Sequence, residues 1–148
     1  VKMAVIGFVV CLVVVIAGGA AYAQMEKPEF CGSCHAMSEN YGTWSDSSHA
    51  SVTCSECHLP NNNIAAKLVA KAQTGMVDVW HQTMRDYDLN IEMTDKGKTT
   101  LRNNCIRCHE PTIKNTSMID IGKDGDDRYC VSCHRNLVHG NMTIPISQ

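Results

Sequence analysis

The chain has 148 residues, 44% of them hydrophobic, and a formal net charge of −2. That balance excludes a basic nucleic-acid binder on electrostatic grounds, and the length fits about one ordinary domain. Nine Cys and seven His stand beside only two Phe, two Trp and four Tyr, so a core built from side chains alone would be thin and something else must fill it.

The first element is an uncharged run, Met3–Ala23, following Lys2. As a helix it spans about 31 Å, enough for the hydrocarbon core of a bilayer. Ala21-Tyr22-Ala23 resembles a signal-peptidase site, but the run exceeds the usual signal core of about 7–15 residues. A retained transmembrane signal-anchor over residues 1–25 is expected, with a short stretch expected before Val1. Cys11 lies inside this helix as a packing or lipid-facing residue.

The other eight cysteines form four pairs of one spacing: Cys31-Gly-Ser-Cys34-His35, Cys54-Ser-Glu-Cys57-His58, Cys105-Ile-Arg-Cys108-His109 and Cys130-Val-Ser-Cys133-His134. C-x-x-C-H is the attachment pattern of c-type haem: two thiols become thioethers and the adjacent imidazole can ligate the iron. Structural zinc sites or redox disulfides would also use C-x-x-C pairs, but neither requires His after every second Cys. Four such placements by chance have odds on the order of 10⁻⁵ at this His content. Four covalently bound haem c groups are expected, and their apolar discs replace the missing aromatic core.

Cys31 to Cys54 is a step of 23 and Cys105 to Cys130 a step of 25, which suggests two haem-pair halves, 31–58 and 105–139, bridged by 59–104. Repetition of this kind is read as internal duplication. Within the bridge, Asn61-Asn62-Asn63 offers N-caps for a helix over about 64–85. Ile64, Leu68, Ala72, Met76, Val79 and Trp80 make its apolar stripe, with Lys67, Lys71, Asp78, His81 and Arg85 opposite. A solvated polar face is the ordinary reading. In an anchored protein, basic residues with an aromatic also suit the membrane surface.

Four six-coordinate haems need eight axial ligands, and beyond the motif histidines only His49, His81 and His139 remain. At least one position must therefore be filled by another residue or stay open. Met37 stands two residues after His35, a feature of no other motif, and is either a ligand or an ordinary surface Met.

Together, the apolar N-terminal run, CGSCHAM at 31–37, SSHASVTCSECH at 47–58, AAKLVAKAQTGMVD at 65–78 and CVSCHRNLVHGN at 130–141 resemble the NapC/NirT family of membrane-anchored multihaem quinol dehydrogenases. The likeness is greatest to its small tetrahaem branch, the membrane subunit of cytochrome c nitrite reductase. The resemblance implies a multihaem cytochrome c fold: one transmembrane helix over 1–25, then a mostly irregular, helix-containing tetrahaem domain over 26–148 with little or no sheet. It implies anchoring in the bacterial cytoplasmic membrane with the haem domain in the periplasm. The implied substrate is menaquinol and the implied partner a periplasmic pentahaem nitrite reductase; a shared donor to several reductases is the alternative.

The resemblance also implies ligands. Met37 would replace His35 as proximal ligand of the first haem, with Asp78 at its vacant distal face as proton acceptor and Lys71 positioning the quinol. His58 would share the second haem with a ligand from the partner. His109 would pair with His139, and His134 with His49. His81 is left over, either a ligand or a solvated helix residue. The remaining class of reading is a zinc-binding structural module on a membrane anchor.

Overall fold

The computed structural model describes residues 1–87, 91–123 and 128–140, and those residues are helical, with no strand among them. The first helix, α1, runs Lys2–Met25 and is apolar on every side, with none of its residues buried in the protein. At 1.5 Å per residue it is about 36 Å long, more than a bilayer core requires. A helix apolar all round needs lipid or other protein about it.

Two short helices follow. Pro28 preorganises the first turn of α2 (Pro28–Gly32), which carries Cys31. A single 3₁₀ turn, His35–Met37, then leads into α3 (Ser38–Ser45). Gly32 sits where α3 crosses α2, and a Cβ there would lie 2.5 Å from Tyr41 Cγ. The glycine inside the first motif thus allows this close approach. The second motif is itself a helix, α4 (Cys54–His58).

The bridge helix α5 spans Ile64–Met84, close to the expected 64–85. Asn63 caps it, its side chain accepting from Ala66 N at 2.7 Å, and Arg85 ends it in the left-handed region at φ 55°. A second long helix, α6 (Asp95–Ile113), starts at Thr94, whose hydroxyl accepts from Gly97 N, and contains the whole third motif. A 3₁₀ turn, Ser117–Asp120, and α7 (Cys130–Cys133) complete the described chain.

The protein-only core is small and polar. Among the described residues Leu59 is the one buried large apolar side chain, accompanied by Ser55, Arg102 and Asn104. Arg102 donates from Nη2 to Ile119 O at 2.6 Å and from Nε to Ile121 O, tying α6 to the turn that follows it. Gly122, at φ +77°, would place a Cβ 2.9 Å from the Arg102 side chain. Asn104 donates to Cys57 O and Leu59 O, both at 2.8 Å. These bonds join motifs two and three directly, so the long bridge separates the haem-pair halves in sequence but not in space.

Candidate functional site

The four motifs meet in chain order. The Cys31 thiol lies within electrostatic reach of Cys54, Cys57 of Cys105 and Cys108, and Cys105 of Cys130. None of the nine cysteines forms a disulfide, which leaves every motif pair available for thioether chemistry. Among the described residues no three His, Cys, Asp or Glu side chains converge as a metal-ion cage, so the zinc reading finds no geometry in its favour.

The histidines pair across motifs. His49 and His109 have ring centres 6.2 Å apart, and His58 and His139 have theirs 6.1 Å apart. Two imidazoles on opposite sides of one metal, each about 2 Å from it, have ring centres roughly 6 Å apart. Both separations therefore fit axial ligation of a haem iron. These ring neighbours, His58 with His139 and His49 with His109, are not the pairs that the resemblance implied, His109 with His139 and His134 with His49. The reason is a long-range bond, His139 Nδ1 to Asn40 O at 3.1 Å, which draws the C-terminal stretch back onto α3. Donation from Nδ1 of His139 leaves its Nε2 for metal, and Nδ1 of His49 is in contact with Ser48 Oγ at 3.1 Å. Burial lowers the pKa of both His58 and His139, keeping the neutral, ligating form.

His35 and His134 take part in neither pair. Met37, partly exposed, follows His35 in the 3₁₀ turn. His134 lies in an open hollow of about 520 Å³ lined by Cys133, Arg135, Asn136 and Leu137. His81 Nδ1 contacts Asp86 O at 2.6 Å, closing the last turn of α5 away from both pairs.

Lys71 and Asp78 project from one side of α5, and the charges of both are felt at Cys31. Partial burial pushes the Asp78 carboxyl up from its ordinary range, while His81 one turn on opposes this. Lys71 is already engaged: Nζ donates to Glu26 Oε1 at 2.5 Å and to Met25 O at 2.8 Å, and lies 5.3 Å from the Tyr22 ring centre. Burial opposes ionisation of Glu26. The Lys71 and Ser55 hydrogen bonds and the Lys67 charge outweigh it and hold Glu26 at about 2. From there the ion pairs continue, Lys67 to Glu56 at 3.2 Å and Glu56 to Arg107 at 2.6 Å, reaching motifs two and three. The sequence reading missed Glu26. Its signal was the first acid beyond the apolar run, in a chain with two lysines at helical spacing on the bridge.

The profile of the NapC/NirT cytochrome c family, N-terminal region, matches residues 1–144. The chain belongs to this family. Family membership brings covalently bound haem c and, with α1, single-pass membrane anchoring. The chain is 39% identical over 83 residues to the cytochrome c-type protein NrfH of Wolinella succinogenes, covering 55% of this chain and 47% of that protein. It is 36% identical over 97 residues to the cytochrome c nitrite reductase subunit NrfH of Nitratidesulfovibrio vulgaris, covering 66% and 59%. The matches thus span about half the length of these relatives. A crystal structure of the cytochrome c nitrite reductase NrfHA complex bound to the inhibitor HQNO contains a chain that superposes with a TM-score of 0.77 at 33% identity, over 93% of this chain and 91% of that one.

Proposed function

We propose that this NapC/NirT member is a membrane-anchored tetrahaem cytochrome c that oxidises menaquinol and passes the electrons to a periplasmic pentahaem nitrite reductase, from the cytoplasmic membrane. Likeness to two NrfH proteins and to a chain of the NrfHA complex supports that partner. In this reading His58 with His139 and His109 with His49 hold the second and third haems. Met37 holds the first, and His134 holds the fourth with its other side turned to the partner. His134 takes part in neither ring pair, which favours the fourth haem, rather than the second, as the one completed by a partner residue.

The observation that carries the quinol site is Lys71 and Asp78 two turns apart on one side of α5, both within electrostatic reach of Cys31, with Lys71 bonded to the foot of α1. When bound, the haems supply a row of one-electron acceptors. The chain must take the protons. Asp78, raised by partial burial, is the better matched base, because general-base efficiency improves as the acceptor's pKa approaches the working pH. Lys71 has three N–H donors, of which two are spent on Glu26 and Met25, so one remains for a quinol oxygen. Glu26 and Met25 therefore fix the direction from which the quinol is met.

The test is reduction of the loaded protein by a menaquinol analogue. Asp78→Asn should slow quinol-driven reduction by about 10²-fold while the dithionite-reduced spectrum and haem content stay as in the parent. Wild-type rates in this variant remove Asp78 from the site.

A further inference from the structure

Helix α5 is amphipathic the wrong way round for a helix packed on a protein core. Its inner side carries Lys67, Lys71 and Gly75, which are partly covered, whereas Leu68, Val69, Ala72, Met76, Val79 and Trp80 all face outward. Val69 is 57% exposed, Met76 69%, Val79 64% and Trp80 60%. At 100° per residue these six side chains fill a continuous arc of about 120°, wide enough for an apolar face that must be covered. The first motif is not the cover, because Lys71 and Asp78, which act on Cys31, lie on the other side of the helix.

The position of the helix identifies what is. Lys71 Nζ bonds Met25 O and lies over Tyr22, both in the last turn of the membrane anchor. Seven residues on, Asp78 is coupled to Cys31, only six residues beyond Met25. Two points on α5 about 10 Å apart thus both stay beside the segment that emerges from the bilayer. A lysine and a tyrosine at this level suit the headgroup region, and the outward arc is as exposed as the apolar surface of α1.

We propose that α5 is a second membrane contact, an in-plane helix whose Leu68–Trp80 face beds into the lipid interface. Anchoring then has two parts, a spanning helix and a flat one. The flat one holds Lys71 and Asp78 at a fixed depth, at the level where a lipid-dissolved substrate arrives. The contact depends on α1 spanning the membrane and not on any reaction at the site.

The test uses the full, haem-loaded chain in lipid nanodiscs of phosphatidylethanolamine and phosphatidylglycerol carrying a diazirine on the acyl chain, with adducts mapped by mass spectrometry. Adducts are expected in α1 and also on the 68–80 segment. In M76E/V79E the adducts on α5 should fall at least fivefold while α1 labelling and haem content stay constant. Hydroxyl-radical footprinting of the unaltered protein is the second measurement. Met76 and Trp80 should be protected in nanodiscs, with exposed Met118 as the reference. Label confined to α1 overturns the proposal. So does protection of Met76 and Trp80 that arises only on adding a soluble nitrite reductase, which would make the face a protein interface. Neither readout involves quinol turnover, so failure here leaves the Asp78 assignment to its own test.

Discussion

The centre and the two ends of the motif row are built differently. At the centre, motifs two and three are stitched together by Asn104, by the Glu56–Arg107 pair and by two histidine pairs whose ring separations suit an iron between them. The outer nitrogens of His49 and His139 are already hydrogen-bonded, which fixes their orientation. At the ends, His35 and His134 stand in neither ring pair, and Met37 follows His35 in a 3₁₀ turn. Closed coordination suits electron transfer, whereas an incomplete shell lets another molecule in. On the proposed function, the difference separates relay from entry and exit within one small chain.

That contrast can be broken most severely at His139. In H139A the second haem should lose its axial ligand and turn high-spin, visible as a new band near the red end of the oxidised spectrum. Electron passage beyond it should drop by more than about tenfold. Because His139 comes from the far end of the chain, a change at the third haem instead would restore the pairing that the family resemblance implied.

A milder break separates the membrane end from the centre. Glu26 links Lys71 at the foot of α1 to Lys67 and so to Glu56. Its pKa is depressed from an ordinary 4.5 to about 2, so its stabilisation is complete above about pH 4.5 and lost as pH falls toward 2. After screening by solvent this is worth about 1–2 kcal/mol. E26Q should lower the thermal midpoint at pH 7 by a few degrees and flatten its acid dependence, as differential scanning calorimetry would record. The same variant should raise the KM for a menaquinol analogue more than it lowers kcat, because Lys71 loses its alignment.

The smallest effect is expected at Arg107. Its pair with Glu56 is substantially exposed, with side-chain exposures of 43% and 34%. R107M should cost under about 1 kcal/mol and leave the haem spectra unchanged. A large loss of haem content in this variant would mean that the stitching of the centre rests on charge rather than on Asn104.

The sequence made the attachment chemistry legible because thioether formation demands fixed spacing and a fixed neighbour. Helices α1 and α5 were legible because each has an apolar pattern with a length. Helix α6 was not: Leu101, Ile106 and Ile113 are too few for a stripe, and its inner contacts are Arg102 and Asn104, which no periodicity predicts. The approach of His139 to His58 was equally out of reach, because it is set by the return of the chain through His139 to Asn40, a contact across 99 residues. The polar face of α5 looked solvated in sequence, and the structure turns Lys67 and Lys71 of that face toward Glu26.

On the proposed function, this chain completes the coordination of its second and third haems by itself and leaves the fourth to a partner. Electron paramagnetic resonance of the purified chain, before and after adding the nitrite reductase, measures this directly. Two bis-histidine low-spin signals are predicted from the chain alone, with a third low-spin signal gained on complex formation and abolished by H134A. Loss or change of the His58 signal on adding the reductase, with the His134 haem unaffected, would contradict the account.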